Sequence, residues 1–298
     1  MKYVQVALLA GLSLGAVRAD DSAAAKAVPV KVMSWNIRYD NPRDGANAWS
    51  RRKEWVAQIV RAEKVDILGA QEVLARQFNF LSKQLPEMSV YGVGRDDGKT
   101  RGEFAPIFFR KDRFELLDRS TFWLSTTPEK VGSRGWDAAI TRIASWVKLR
   151  DRRTATVFYA VNTHYDHRGS EARAQSSRLL IRQLNERFRG HPVVLTGDFN
   201  TLPATRPYNA LVSAGDPQQR FFRDSFKVTQ QPPQGPNSTW SGFRAVVPKR
   251  RIDFIFVTAK IGVRQFRILD EQRDGRFPSD HLPVVSVIQL PKTSAAKP

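Results

Sequence analysis

The sequence predicts an α/β fold of the α+β kind in one domain, and three observations carry that prediction. Segments rich in β-branched and aromatic residues recur along the whole length. Several are nearly continuous apolar runs, as strands buried on both faces require. Between them lie stretches whose apolar residues recur at helical spacing.

In chain order, strands are expected over residues 30–37 (VKVMSWNI), 65–73 (VDILGAQEV), 105–110 (APIFFR) and 153–165 (RTATVFYAVNTHY). Three more follow over 191–200 (HPVVLTGDFN), 251–258 (RIDFIFVT) and 281–290 (HLPVVSVIQL). The first helix is RRKEWVAQIVRAEK, capped by Ser50, with Trp55, Ile59 and Val60 on one side. A second spans 170–188, where Leu179, Leu180, Leu184 and Phe188 form the apolar stripe and arginines the opposite face. A shorter helix is expected over 75–85. The prolines and glycine of 203–224 predict loops around a short helix.

The opening MKYVQVALLAGLSLGAVRAD has a lysine-bearing start, an apolar run and small residues before Asp20, the layout of a secretory signal peptide cleaved after Ala19. The expected organisation is a leader over 1–19, a lead over 20–29, one domain over 30–290 and a tail over 291–298. No later stretch is apolar for long enough to cross a bilayer. A secreted or periplasmic monomer without an integral membrane domain is the expectation. The formal charge of +19 becomes +17 when Lys2 and Arg18 leave with the leader, an excess that attracts polyanions. There is no cysteine, which excludes a disulfide framework and a thiolate nucleophile. Neither a GxSxG elbow nor a GxxxxGK[ST] loop occurs, so serine-hydrolase and nucleotide-motor chemistry find no support.

Polar residues cluster where predicted strands end. Asn36 follows VKVMSW, Gln71 and Glu72 follow VDILGA, His164 follows VFYAVNT, and Asp198 with Asn200 follows PVVLTG. Separate strands that deliver polar side chains to a common rim are what a sheet-based active site needs. Taken alone, Glu72 also reads as a turn or capping residue, and Asn36 and Asn200 as turn asparagines. Of four histidines, His164 and His167 lie in NTHYDHRG and His281 in PSDHLPV, whereas His191 sits in a turn before a strand and reads as structural. In SDH, Asp280 and His281 point in opposite directions if the backbone is extended, which suits a carboxylate facing a cation and an imidazole facing phosphate. Hydrolysis of a phosphate ester needs a positioned water, a base and positive charge against the developing oxyanion. Glu72 and Asp280 offer the hard oxygen ligands that suit magnesium or manganese.

The ordered strings MSWNIRYD, GAQEV, GEFAPIFFR, NTHYDHRG, TGDFN, RIDFIFV and SDHLPV resemble the endonuclease/exonuclease/phosphatase superfamily, over nearly all of residues 30–290. The resemblance implies a four-layer α/β/β/α sandwich, two packed mixed β-sheets flanked by helices. It implies Mg2+, with Mn2+ as a substitute, held by Glu72 with Asn36 and Asp280. It implies catalytic roles for His164, Asp198, Asn200, Asp253 and His281: Asp198 orients or activates water, and Asp253 buttresses His281. Arg142 resembles a phosphate-contacting arginine, with an ordinary exposed arginine as the other reading. Asp166 and His167 are expected to orient substrate, and Glu103 either reaches the rim or faces solvent. Trp240 either stacks on substrate or covers the sheet edge.

Two substrates fit. The basic excess favours a phosphodiesterase acting on nucleic acid through its backbone phosphates. A phosphatase or phosphodiesterase of a phospholipid head group, inositol phosphate or sugar phosphate is the alternative, because no long basic insertion announces a duplex-binding arm. A phosphate-binding adaptor would have no need to keep the whole of Asn36, Glu72, His164, Asp198, Asn200, Asp253 and His281.

Overall fold

The chain begins one sheet, leaves it to build a second, and returns to finish the first. In the computed structural model, residues 28–213 and 221–291 are described. The expected leader, most of the lead and residues 292–298 of the tail lie outside them. The first sheet contains β1 (Val30–Asn36), β2 (Ile67–Gln71), β3 (Met88–Tyr91) and β4 (Ile107–Arg110). The second contains β5 (Phe114–Trp123), β6 (Ile143–Asp151), β7 (Val157–His164), β8 (Val193–Asp198), β9 (Phe222–Asp224) and β10 (Asp253–Thr258). β11 (Gly262–Ile268) and β12 (Val284–Gln289) then complete the first. Strand orders are β11-β12-β1-β2-β4-β3 and β5-β6-β7-β8-β10-β9. Both sheets are mixed, with β1 parallel to β2 and β7 parallel to β8, and antiparallel neighbours outside these pairs.

Three apolar clusters separate four layers. Between the sheets lie Val32, Ile67, Phe158, Ala160, Val194 and Ile255. On the outer side of the first sheet, Met33, Trp35 and Leu68 meet Val56, Ile59 and Val60 of α1 (Trp49–Ala62), with α2 (Ala75–Gln84) beside it. On the outer side of the second, Val161, Leu195 and Phe254 meet Leu179, Leu180 and Leu184 of α3 (Ser170–Asn185). Central strands covered on both faces must be apolar at odd and even positions alike, which explains their unbroken runs.

The inner faces change character along the strands. Reading every second residue toward one end gives Val32, Ser34, Asn36 on β1 and Ile67, Gly69, Gln71 on β2. The same reading gives Ala160, Asn162, His164 on β7, Val194, Thr196, Asp198 on β8, and Val257, Ile255, Asp253 on β10. The apolar filling of the sandwich therefore gives way to a buried polar seam and then to a rim of ionisable groups. Across the seam Gly197 N–H donates to Ser34 Oγ (3.0 Å) and Gln71 Nε2 to Asn162 Oδ1 (2.7 Å). Asn162 Nδ2 donates to the carbonyls of Ala70 (2.7 Å) and Pro106 (3.0 Å). A Cβ on Gly69 would lie 2.0 Å from Thr196 Oγ1, so glycine is what allows the sheets this approach. At the opposite end, Arg113 (2% exposed) joins Asp66 at 2.9 Å and Asp151 at 3.1 Å, and donates to the carbonyls of Val28 and Pro29.

Several expectations about elements are corrected. Ser50 does not cap α1: the cap is Ala48, and a 3-10 turn over Pro42–Asn47 feeds directly into the helix. The strand expected from 153 starts at Val157, because a turn in which Asp151 accepts the N–H of Ala155 (2.8 Å) precedes it. The helix expected to 188 ends at Asn185, although Phe188 remains buried. β3, β5, β6, β9 and β11 were not anticipated; β5 and β11 are edge strands whose charged residues blur the apolar signal. The short helix expected within 203–224 is α4 (Arg206–Val212).

Candidate active site

Four strand ends and two strand starts meet at one rim. β1, β2, β7 and β8 end there on Asn36, Gln71, His164 and Asp198. β10 and β12 run antiparallel to β8 and β1 and so begin there, the first with Asp253 and the second just after Asp280 and His281. In the second sheet His164 pairs with Asp198 and Asp198 with Asp253, which puts three functional side chains in a row on the inner face. Arg38, Glu72 and Asn200, each just beyond a strand end, take φ of 58°, 59° and 46°. Left-handed backbone costs a residue with a side chain about 1 kcal/mol or more, and here it directs all three into one cleft.

Asn36 ties the two sheets together at this level. Its Nδ2 donates to Glu72 Oε1 (3.0 Å) and Asp198 Oδ2 (3.0 Å), while its Oδ1 accepts the N–H of Arg38 (2.9 Å). Its oxygen faces the backbone, and its amide orients two carboxylates. Glu72 is held further by the N–H of Tyr39 on Oε2 (3.0 Å), and Asp198 Oδ1 by the N–H of Asn200 (2.9 Å).

The two histidines of the rim differ in charge for physical reasons. Burial disfavours a charged His281, but Asp253 and Asp198 outweigh it and push the ring up to about 10. Its Nδ1 donates to Asp253 Oδ2 (2.8 Å), which leaves Nε2 3.7 Å from Asp198 Oδ2. For His164, burial together with Arg142 and Arg95 holds the ring well below its ordinary range, so it is neutral. Asn200 Nδ2 donates both to His164 Nε2 (3.1 Å) and to the Tyr165 carbonyl (3.1 Å). The ring hydrogen then sits on Nδ1, 3.7 Å from Glu103 Oε2. Burial and the charge of Asp253 push the Asp198 carboxyl up to about 7. Asp198 is a proton acceptor poised near neutrality.

The rim can hold a divalent cation. The ligand atoms of Asp198, Asp253 and His281 all lie within 4.8 Å of one another. That set is already knitted by the His281–Asp253 hydrogen bond, and a protonated ring has no lone pair for a metal. Glu72 and Asp280 also share a cation. Arg38 Nη1 lies 4.0 Å from Glu72 Oε2 and 3.8 Å from Asp280 Oδ2, a positive charge shared between two carboxylates. Burial pushes Asp280 up, and the neighbouring charge of Glu72 adds to the effect. Paired hard oxygens that call for positive charge are the donor chemistry of magnesium and manganese.

Beyond the carboxylates the cleft takes up the phosphate-binding candidates. Arg142 is 5% exposed, so it is not the ordinary exposed arginine of the second reading. Its Nη2 lies 3.2 Å from His167 Nδ1, whereas Nε and Nη1 have no hydrogen-bond partner. Glu103 Oε2 and Asp166 Oδ2 lie 3.8 Å from Nη1 and Nε, beyond hydrogen-bond length, so these buried guanidinium hydrogens in the cleft wall fit phosphoryl oxygens. Glu103 reaches the rim and accepts from Arg95 Nη1 (2.7 Å). Asp166 lies behind this wall, where its two oxygens accept four backbone N–H groups, of Ala139, Ile140, Arg168 and Gly169. It braces the loops that carry Arg142 and His167, and its Oδ2 lies 3.8 Å from Arg142 Nε. Trp240 lies in the cleft wall, edge-on to His281 with ring centroids 4.7 Å apart, and Arg250 stacks over it at 5.1 Å. Arg38, Tyr39, Arg250 and Ile252 also line the cleft and were not singled out in the sequence, although Arg38 lies inside MSWNIRYD. The cavity they enclose has a volume of about 550 Å³.

Comparison with known proteins agrees with this geometry. Residues 33–281 match the model of the "Endonuclease/Exonuclease/phosphatase family". An endonuclease/exonuclease/phosphatase from Bacteroides vulgatus is 43% identical, with a TM-score of 0.84 over 88% of this chain and 99% of that one. The mannosyl-6-phosphatase of Bacteroides thetaiotaomicron is 36% identical, with a TM-score of 0.80 over 87% of this chain and 99% of that one. The 3'-5'-exoribonuclease subunit Ccr4 of the CCR4-Not complex from Emericella nidulans is 23% identical over 89% of this chain. The chain spans about half the length of that relative, 52% of it. With its motif order, sandwich and rim all in agreement, the chain belongs to the endonuclease/exonuclease/phosphatase family and is a metal-dependent phosphoric ester hydrolase.

Proposed function

We propose that this hydrolase is an exported, monomeric phosphatase that removes phosphate from a phosphorylated sugar. The bounded cleft carries the reading. About 550 Å³ lined by Tyr39, Ile140, His167, Trp240 and Arg250 accommodates one small head group above one phosphate. The 36% identity to a mannosyl-6-phosphatase supports the same substrate class. Export is supported by the apolar run over residues 4–17 ahead of Ala19.

In this reading Glu72 and Asp280 hold Mg2+, or Mn2+ in its place. When bound, the ion supplies positive charge to a phosphoryl oxygen and favours ionisation of water. Arg142 contributes its Nε and Nη1 hydrogens, which make no hydrogen bond within the protein, to the phosphate and fixes its orientation. Asp198, aligned by Asn36 and by the N–H of Asn200, accepts the proton of the attacking water. Protonated His281, held by Asp253, neutralises charge that grows on the phosphoryl group during in-line displacement. Neutral His164, whose Nε2 lies 3.4 Å from Asp198 Oδ2, keeps a hydrogen on Nδ1.

A nuclease is the second reading, and the formal charge of +19 favours it. The purified protein, with Mg2+ or with chelator, is to be assayed against a sugar-phosphate panel, inositol phosphates, sphingomyelin, plasmid DNA and single-stranded RNA, beside Asp198→Ala and His281→Ala. Chelator-sensitive release of phosphate from sugar phosphates, lost in both variants, is expected. Intact sugar phosphates beside cleaved DNA or RNA would overturn the phosphatase reading in favour of the nuclease.

A further inference from the structure

Outside the catalytic cleft, a cavity of about 400 Å³ opens at the amino end of α1 and is lined by Arg51, Arg52, Arg273 and Arg276. Four arginines and one carboxylate, Asp274, contribute to this lining, and Glu271 ion-pairs with Arg273 at 3.4 Å. The arginines come from two separate stretches of chain, the first turn of α1 and the segment ahead of Ser279-Asp280-His281, so the fold and not local sequence gathers them. Trp55 gives the cavity an aromatic wall. Arg273 stacks over its ring at 4.7 Å, and Trp55 Nε1 donates to Glu271 Oε1 (3.2 Å).

The charges at this helix end are placed against the usual preference. The first turn of α1 has no acidic residue and no side-chain cap, and it carries Arg51 and Arg52 where the helix dipole is itself positive. Positive charges outnumber negative ones around this cavity, and an oxyanion is attracted both by the arginines and by the helix end. Arg52 is also 4% exposed, and its hydrogen bonds go to main-chain carbonyls: Asn47 (2.8 Å), Arg38 (2.8 Å), Pro278 (3.2 Å) and Ile37. One guanidinium thus forms part of the cavity wall and pins the backbone of Arg38, which lines the catalytic cleft.

We infer that this arginine-lined cavity is a second oxyanion site, which binds a phosphate group beside the catalytic cleft. The phosphate could be a second one on a multiply phosphorylated substrate or the free ion released by the reaction. The inference goes beyond the proposed reaction, and its main readout, binding by metal-free protein, does not depend on turnover.

Inorganic phosphate is to be titrated calorimetrically into the full-length protein in chelator. The comparison is between the parent, Arg273→Ala/Arg276→Ala, Arg51→Gln and Arg142→Ala. Two classes of site are expected in the parent. The Arg273→Ala/Arg276→Ala protein should lose one of them, by about tenfold or more in affinity, and Arg51→Gln should weaken the same one. Arg142→Ala should lose the other. A melting temperature and p-nitrophenyl phosphate turnover like the parent's would show that the double variant is folded, and Arg51→Gln, at an exposed position, supplies the test if it is not. A single class of site in the parent, or two classes untouched by Arg273→Ala/Arg276→Ala and Arg51→Gln, overturns the inference. Given loss of the site, a KM raised for a sugar bisphosphate but not a monophosphate assigns it to substrate. KM unchanged for both assigns it to free phosphate.

Discussion

The sharpest test of the rim is Asp253→Asn. Asp253 is fully buried, and its Oδ2 receives the Nδ1 hydrogen of His281 at 2.8 Å. Burial by itself would lower the basicity of His281, and Asp253 is the largest of the charges that instead lift it from 6.5 to about 10. A raised histidine is protonated below its folded value and loses the proton as pH rises through it, so the native ring is a cation across the neutral range. The asparagine keeps an acceptor oxygen and removes the charge. If the ring returns to 6.5, only about 3% of it is protonated at pH 8, and a step that needs the cation slows by about 30-fold or more. The profile of kcat/KM against pH, measured with p-nitrophenyl phosphate and saturating Mg2+, should rise through about 7 as Asp198 loses its proton and fall through about 10 as His281 does. Because these groups titrate as a set, the limbs belong to the cluster and not to either residue alone. In Asp253→Asn the alkaline limb should move down by at least about two pH units. An alkaline limb that stays in place beneath a uniformly lower rate would refute a cationic His281.

Glu72→Gln should raise the Mg2+ concentration for half-maximal rate by about tenfold or more, and an unchanged metal titration would remove Glu72 from the cation site. Arg113→Met leaves Asp66 and Asp151 without their buried partner at the end of the sandwich opposite the rim. It should cost about 3–5 kcal/mol in urea unfolding while kcat stays near native. Gly69→Ala places a methyl 2.0 Å from Thr196 Oγ1 and 2.7 Å from Asn162 Oδ1. It should destabilise by about 1–3 kcal/mol and also slow the reaction, because the seam it pries apart sets the height of the rim; native-like kcat would show that the seam does not align the site.

The rim was legible in the sequence because its residues interrupt otherwise apolar strands. A run such as VVLTGD cannot continue a dry core with an aspartate, so the polar end marks where the strand leaves the sandwich. The inner-face series Val32, Ser34, Asn36 and Ala160, Asn162, His164 carry the same message at alternate positions. What individual side chains do at the rim was less legible. Whether Asn36 presents its oxygen or its nitrogen depends on the N–H of Arg38, and Asp166 is claimed by N–H groups from two loops, one of them more than twenty residues upstream. The walls contributed by Arg38 and Arg250 come from turns whose direction only the packed sheets determine. Edge strands escaped notice for a related reason: β5 is half exposed and carries Glu115, Asp118 and Arg119 where a central strand would be apolar.

The return of the chain to its first sheet has a consequence for how the protein comes to life. All of the second sheet lies within one continuous stretch, β5 to β10, and β11 and β12 come after it. Asp280 and His281 therefore reach Glu72 and Asn36 only once that sheet has been made and the chain has come back. The bond from Trp35 Nε1 to the His281 carbonyl, 3.1 Å long, spans 246 positions. Contacts of such long range form late, since the entropy of closing the loop is spent before they give anything in return. A half-folded chain can carry a complete second sheet and still be chemically silent, so onset of activity works as a clock for the final docking step.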